Sequence, residues 1–211
     1  MLTKRRLCTV LAAAAAAGSM GVAFADGAST AGNTEWPVWG GNLAEQHYSP
    51  LDQINASNVS KLHVVWQWYG ANFGPRPETR SEGTPLMVGG VLYATAGVTR
   101  NVAAVDAATG QTLWVWRPNE GKRFDEGARK NSGRGVAYWS NGRGDDRVLT
   151  VTPGFQLVAL DAHTGLPVPQ FGAGGIVDLK QGLRGGGAQD VGSSSPPLVV
   201  GDVVVVGPAH L

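Results

Sequence analysis

The hydrophobic positions of this chain fall into short β-rich runs that are separated by glycine, asparagine and aspartate. The first group consists of Pro85–Val88, Val91–Thr95, Val102–Val105 and Thr112–Arg117. A second group consists of Gly135–Trp139, Arg147–Val151 and Gln156–Leu160. Short runs of this kind, broken by turn-forming residues, are typical of strands in antiparallel sheets. The pattern therefore predicts an all-β fold.

An internal repeat relates the two groups of strands. The segment Asp106-Ala-Ala-Thr-Gly110 is echoed by Asp161-Ala-His-Thr-Gly165, and the two aspartates are 55 residues apart. Each aspartate can accept backbone N–H bonds from residues just after it, and each glycine can adopt positive φ, so both segments are predicted to be turns. Four antiparallel strands in a repeat of about 50 residues fit a β-propeller blade, whereas a plain β-sandwich lacks this period.

The chain is too short to close a propeller ring. Residues 84–211 contain two predicted blades and the start of a third, and Leu62–Tyr69 could donate one closing strand. Propellers need about 4–8 blades, so we expect the N-terminal blades of a longer propeller; completion by other chains is the alternative. Trp114 is expected to be buried between blades. Its equivalent in the second repeat, Pro169, predicts a divergent outer strand, after which Phe171–Leu183 leaves the blade as a long loop.

Composition and charge narrow the class of protein further. The chain has 211 residues, of which 43% are hydrophobic and only 16% charged, with a formal net charge of +1. A charge near zero excludes nucleic-acid binding that is driven by a basic field. The single cysteine, Cys8, excludes a disulfide framework and a cysteine zinc site. The four histidines show no metal-ligand spacing.

Residues 1–25 have the organisation of a secretory signal. Lys4–Arg6 are basic, Leu7–Ala17 form a short apolar stretch, and Ala23-Phe24-Ala25 matches a cleavage site. The apolar stretch is shorter than the ~20 residues that a membrane-spanning helix needs. An amphipathic first helix is the alternative reading. We expect residues 1–25 to be removed and residues 26–211 to form a periplasmic propeller domain.

The motifs of the mature chain, in their order, resemble those of the pyrroloquinoline quinone (PQQ)-dependent dehydrogenases. The segments that carry the resemblance are Trp36-Pro-Val-Trp-Gly-Gly, Tyr48–Asn55, Asn58–Leu62, Glu82-Gly-Thr-Pro85, Arg134-Gly-Val-Ala-Tyr138 and both Asp-x-x-Thr-Gly turns. The resemblance implies an eight-bladed periplasmic propeller that oxidises alcohols or sugars. Phe171–Leu179 is similar to the glucose-dehydrogenase-like branch, which includes enzymes for quinate and other polyols. Methanol-type relatives carry adjacent cysteines where this chain has Ala128 and Arg129, which weighs against that branch.

The resemblance implies three cofactor contacts, Glu82, Arg134 and Thr152. PQQ bears three carboxylates and an ortho-quinone, and the guanidinium of Arg134 can fork onto such oxygens. The hydroxyl of Thr152 can bond to a cofactor oxygen, and Glu82 matches a glutamate that contacts the cofactor in the family. Taken alone, Arg134 could be a surface arginine, Thr152 an ordinary β-strand residue and Glu82 a solvated strand end. Arg129 could replace the missing thiols near the ring.

Four tryptophans, Trp66, Trp114, Trp116 and Trp139, could stack on a flat cofactor. Their places in the repeat favour packing instead, with the first three docking one blade on the next.

The resemblance also implies a Ca²⁺ ion that holds PQQ, a small-molecule alcohol or sugar substrate, and electron transfer to ubiquinone or a cytochrome. Peripheral membrane association is left open. The catalytic aspartate and the calcium ligands are expected beyond residue 211, so no residue here is predicted to be catalytic or metal-binding.

A different class of protein shares the same repeats. Cofactor-free propellers act as scaffolds in outer-membrane protein assembly and carry the same Asp-x-x-Thr-Gly turns. These scaffolds are usually lipid-anchored through a cysteine at the cleavage site, and no cysteine stands there in this chain. They also lack the ordered set of Glu82, Arg134 and Thr152. The dehydrogenase is therefore the preferred reading, and the scaffold is the alternative.

Overall fold

The computed structural model describes residues 35–70, 73–183 and 191–210, and these residues are almost entirely β-structure. Their helical content is a 3₁₀ turn at Val59–Lys61 and one helical turn, α1, at Lys122–Asp125. Neither is long or apolar enough to cross a membrane, and no other helix occurs in the described ranges. The predicted signal segment, residues 1–25, lies outside the described residues.

Two consecutive four-stranded antiparallel sheets form the main body of the fold, as the repeat predicts. The first sheet has the order β1 (Leu86–Val88), β2 (Val91–Ala96), β3 (Asn101–Asp106) and β4 (Thr112–Trp116). The second has the order β5 (Ala137–Ser140), β6 (Asp146–Val151), β7 (Gln156–Asp161) and β8 (Ile176–Asp178). In both sheets every strand pairs with its neighbour in the sequence, which is the arrangement of a propeller blade.

Four further strands follow the second sheet. They are β9 (Val191–Gly192), β10 (Leu198–Val200), β11 (Val203–Val205) and β12 (Ala209–His210), with β10 paired to β11 and β9 to β12. The β10–β11 hairpin occupies the place of the predicted third blade. The segment Leu62–Tyr69, which could have donated a closing strand, pairs with none of the described strands.

The fourth strand of the second sheet corrects one sequence prediction. The segment Phe171–Leu183 does not simply leave the blade as a loop, because β8 lies inside it and pairs with β7 from Gln156↔Asp178 to Val158↔Ile176. A glycine-rich turn makes this return possible, since Gly172, Gly174 and Gly175 all have positive φ. The apolar run of β8 is only three residues long, too short to stand out in the sequence.

The second sheet is buried on both of its faces. Alternate residues of β6 and β7 point to opposite sides. Val148, Val158 and Leu160 join an apolar cluster with Leu86 and Tyr93 of the first sheet. On the other face Leu149, Leu157 and Ala159 pack with Val199 and Val204 of the β10–β11 hairpin. Sheets stacked face to face through apolar side chains are what adjacent blades require.

The two repeated turns form the same hydrogen bonds, which confirms their predicted mechanism. Asp106 Oδ1 accepts bonds from the Thr109 amide (2.7 Å), the Thr109 hydroxyl (2.7 Å) and the Ala108 amide (3.1 Å). In the second repeat, Asp161 Oδ1 accepts the equivalent three bonds, from the amides of His163 and Thr164 and from the Thr164 hydroxyl. Hydrogen bonds from Thr109 lower the pKa of the Asp106 carboxyl, because they favour its charged form.

The pKa of Asp106 predicts an acid-sensitive contribution to stability. Because the folded-state pKa lies below the unfolded value, the stabilisation is present above the unfolded pKa and is lost as the pH falls through the folded pKa. An Asp106→Asn variant keeps an acceptor oxygen but does not titrate, so its melting temperature should fall less than that of the wild type between about pH 5 and pH 2. Asp52→Asn, at an exposed residue, is the control and should melt like the wild type; equal acid sensitivity in Asp106→Asn would contradict the assignment.

Tryptophans dock on these turns in a repeating way. The Trp66 indole donates to Ala107 O (3.1 Å), and the Trp114 indole donates to Ala162 O (2.9 Å). Each ring lies against the glycine of its turn, and a Cβ on Gly165 would stand 2.5 Å from the Trp114 ring. The structure thus confirms that Trp114 joins the first sheet to the second, although its side chain is half-buried rather than buried. Trp66 stands outside both sheets and packs on the turn of the first, so it does not dock one blade on another.

Replacing Gly165 by alanine tests this docking. Both Gly165 and Gly174 have positive φ (71° and 63°), but a Cβ on Gly174 would meet no atom within 4 Å. Gly174→Ala should therefore cost only the conformational penalty, about 1–2 kcal/mol. Gly165→Ala should lower the free energy of unfolding by about 1 kcal/mol more, since the Trp114 ring must move. Equal losses for the two variants in denaturant unfolding would show that the ring contact contributes nothing.

Candidate functional site

Two of the three predicted cofactor contacts meet in the structure. Glu82 precedes β1 and Arg134 precedes β5, so they occupy similar places before the first strands of consecutive sheets. Arg134 Nε donates to Glu82 Oε2 at 3.5 Å, a long bond, and the Arg134 side chain remains 54% exposed. Glu82 and Arg134 therefore contact each other.

The backbone holds these two segments together. The Thr84 amide donates to Arg134 O at 3.1 Å. Gly135 has φ of 127°, and a Cβ there would lie 2.8 Å from Thr84 O. Only glycine allows this close approach without strain, which explains the Arg-Gly pair in the motif.

Glu82 lies between two guanidinium groups. Its other oxygen, Oε1, accepts a bond from Arg80 Nε at 2.9 Å. The hydrogen bond and charge of Arg80, and then those of Arg134, lower the pKa of the Glu82 carboxyl. Glu82 is consequently ionised at neutral pH, and Arg134 keeps its terminal nitrogens Nη1 and Nη2 without partners among the described residues.

Ser194 is a further residue of this site, and sequence reasoning missed it. The Arg134 amide donates to Ser194 O at 2.8 Å. Ser194 stands four residues before β10, as Glu82 stands four residues before β1, so the blade repeat itself was the signal that could have found it. Its hydroxyl is buried and has no hydrogen-bond partner among the described residues.

Thr152, the third predicted contact, is held elsewhere. It follows the end of β6 and is 1% exposed. Its hydroxyl donates to Glu120 Oε1 at 2.6 Å and accepts from the Gln156 amide at 3.0 Å. A hydroxyl can donate only one hydrogen bond, and here Glu120 accepts it. No hydrogen bond in the described ranges joins Thr152 to Glu82 or Arg134. Its role toward a cofactor stays a prediction and would require the hydrogen bond to Glu120 to break.

Arg129 lies beside the strand that leads to Ser194. A Cβ on Gly192 would stand 3.2 Å from Arg129 Cγ, so the side chain runs along this glycine. Its Nε is buried and has no hydrogen-bond partner among the described residues. Its predicted place near a cofactor ring is not tested by this geometry and stays a prediction.

A cavity of about 280 Å³ opens beside Arg134. Its walls come from the N-terminal segment, the start of β5 and the segment that leads into β10, and they include Val38, Trp39, Val136, Tyr138 and Pro197. The described residues contain no group of three or more His, Cys, Asp or Glu side chains that could hold a metal ion. The exposed Arg134 side chain lines this cavity together with Glu45 and apolar residues, and its guanidinium is suited to bind an anionic ligand there.

Comparison with known proteins gives a consistent result. A family model described as "PQQ: Glucose/ethanol/alcohol dehydrogenase, beta-propeller domain" matches residues 36–211. The dehydrogenase subunit of a quinone alcohol dehydrogenase from Gluconobacter oxydans is 40% identical over 175 residues, which cover 78% of this chain and 22% of that protein. A quinoprotein glucose dehydrogenase from the same organism is 30% identical over 195 residues, covering 83% of this chain and 24% of that protein.

A solved structure agrees with these matches. The quinohemoprotein alcohol dehydrogenase from Comamonas testosteroni superimposes with a TM-score of 0.66 at 30% identity, covering 87% of this chain and 24% of that chain. The chain thus spans about a quarter of the length of these relatives. Because alcohol dehydrogenase subunits are among the more similar relatives, these matches do not single out the glucose-dehydrogenase-like branch.

Proposed function

Because the chain belongs to the PQQ-dependent dehydrogenase β-propeller family, we propose that it supplies part of the cofactor site of an enzyme that oxidises an alcohol, polyol or sugar. The observation that carries the proposal is the Glu82–Arg134 pair, whose Arg134 amide bonds to the carbonyl of Ser194, a residue with a buried and unpartnered hydroxyl. This donor set fits PQQ, whose carboxylates need cationic and hydroxyl donors. When bound, PQQ supplies a quinone that accepts two electrons from a CH–OH group.

Each residue has a distinct role in this proposal. Arg134 binds an oxygen at the anionic edge of the cofactor with its free Nη1 and Nη2 groups. Ser194 donates a hydrogen bond from its hydroxyl to another oxygen of the cofactor. Glu82 accepts from Arg134 Nε and so fixes the direction of the guanidinium. Its negative charge also disfavours a cofactor carboxylate on its own side, which restricts the cofactor to one orientation.

The wider enzyme is proposed on the family and on the N-terminal residues. We place it in the periplasm, because residues 1–25 resemble a secretory signal. Its electrons pass to ubiquinone or a cytochrome, and a Ca²⁺ ion bound by residues outside this chain holds the quinone. The enzyme that contains this chain therefore needs both PQQ and a divalent cation.

Reconstitution tests the proposal directly. The complete enzyme that contains this chain is purified without cofactor and titrated with PQQ in the presence of Ca²⁺, with binding followed by quenching of tryptophan fluorescence. The expected result is saturable binding and PQQ-dependent reduction of an artificial electron acceptor by an alcohol, a polyol or a sugar. A protein that binds no PQQ under these conditions would overturn the proposed function.

A further inference from the structure

Arg100 is a buried arginine that is used nowhere in the site described above. It lies in the turn between β2 and β3, has φ of 57° and is only 2% exposed. Its guanidinium donates five hydrogen bonds, to Asn131 O (3.1 Å), Asn131 Oδ1 (3.1 Å), Arg129 O (3.0 Å), Val151 O (2.8 Å) and Ser193 O (2.6 Å). A non-glycine residue at positive φ is uncommon and is kept where the surroundings determine it.

The acceptors of Arg100 are all neutral. No carboxylate of the described residues forms a salt bridge with it, although buried charges are usually paired. Burial lowers the pKa of Arg100 to about 10, so the side chain remains charged at neutral pH. A charged guanidinium that is bound only by carbonyl and amide oxygens orients those groups strongly, since each bond is charge-assisted.

The groups that Arg100 binds lie just before the site residues in the sequence. Ser193 precedes Ser194 and Val151 precedes Thr152. Asn131 lies three residues before Arg134, and its Oδ1 also accepts from the Gly133 amide at 3.0 Å. Because the peptide unit is planar, fixing one carbonyl also fixes the N–H group of the next residue. The Arg100 side chain thus fixes the positions of three backbone segments, which lie just before Arg134, Thr152 and Ser194.

We propose that Arg100 is a positioning residue that fixes the spacing of Arg134, Ser194 and Thr152 around the anionic cofactor. This inference rests on the proposed function and deepens it. Lysine cannot replace Arg100, since an ammonium has three donors on a flexible stem whereas the guanidinium presents five donors in a rigid plane. The geometry of the five bonds, rather than the charge alone, is what the site requires.

The test compares Arg100→Lys with a core variant of similar stability. Arg100→Lys loses at least two hydrogen bonds, so PQQ binding to the cofactor-free enzyme should weaken by about tenfold or more. Val148→Ala, at a residue that is 0% exposed in the apolar cluster, is the control for lost stability. Dissociation constants are measured well below the melting temperature of both variants. The control should bind PQQ within about twofold of the wild type.

The outcomes separate this inference from the proposed function. If Arg100→Lys binds PQQ as the control does, Arg100 is a structural residue and the inference is wrong. If the wild type binds no PQQ, the proposed function fails instead. If Arg100→Lys does not fold, Asn131→Ala is tested in its place. This variant removes the Asn131 Oδ1 atom, which accepts hydrogen bonds from Arg100 and from the Gly133 amide. That variant should weaken binding by about three- to tenfold, and unchanged binding would overturn the inference.

Discussion

Replacing Leu160 with alanine should lower the free energy of unfolding by about 2–5 kcal/mol. Leu160 is 0% exposed in β7 and belongs to the apolar cluster between the first and second sheets. The substitution removes buried methyl groups and leaves a cavity whose walls are two hydrogen-bonded sheets, which cannot collapse to fill it. Denaturant unfolding, followed by tryptophan fluorescence, measures the loss.

Leu166→Ala provides the matched control for this variant. Leu166 follows the second repeated turn, only six residues from Leu160, but its side chain is 65% exposed. The same change of side chain there should alter the free energy of unfolding by no more than about 0.5 kcal/mol. Equal losses at the two positions would mean that the sheets are not packed face to face, and the propeller arrangement would have to be abandoned.

The blades could be predicted because their signals are local. Turns such as Asp106–Gly110 depend on a side chain that bonds to its own backbone, and the repeat supplied the same evidence twice. The strand β8 escaped prediction because its three residues carry little signal of their own. It is defined by pairing with β7 across an intervening glycine-rich turn, which is a non-local interaction.

The site was predictable only in part, for a related reason. Glu82 and Arg134 were found through motifs, and the structure brings them together although 52 residues separate them. Ser194 carries no motif, and its place depends on how the third blade begins. The bond from Thr152 to Glu120 is also invisible in the sequence, because 32 residues lie between these partners and only the stacking of elements unites them.

Arg134→Ala should weaken PQQ binding to the complete cofactor-free enzyme by about 1.5–3 kcal/mol, the range for hydrogen bonds to charged groups. The Arg134 side chain is 54% exposed, and the one hydrogen bond of its guanidinium within the described residues, to Glu82, is long. Its remaining donors are therefore available to a ligand at no cost in lost protein contacts. Arg134→Lys should recover only part of the affinity, because an ammonium keeps the charge but cannot form the planar two-bond fork.

The control for this series is Arg143→Ala. Arg143 is exposed in the hairpin between β5 and β6, beyond the opposite end of β5 from Arg134. Its removal changes the net charge by the same amount, so a general electrostatic effect on an anionic cofactor would appear in both variants. A loss of affinity confined to Arg134→Ala assigns the effect to contact with the cofactor. Unchanged affinity in Arg134→Ala would make Arg134 a structural residue, and the cofactor site would then rest on Ser194 and on residues outside this chain.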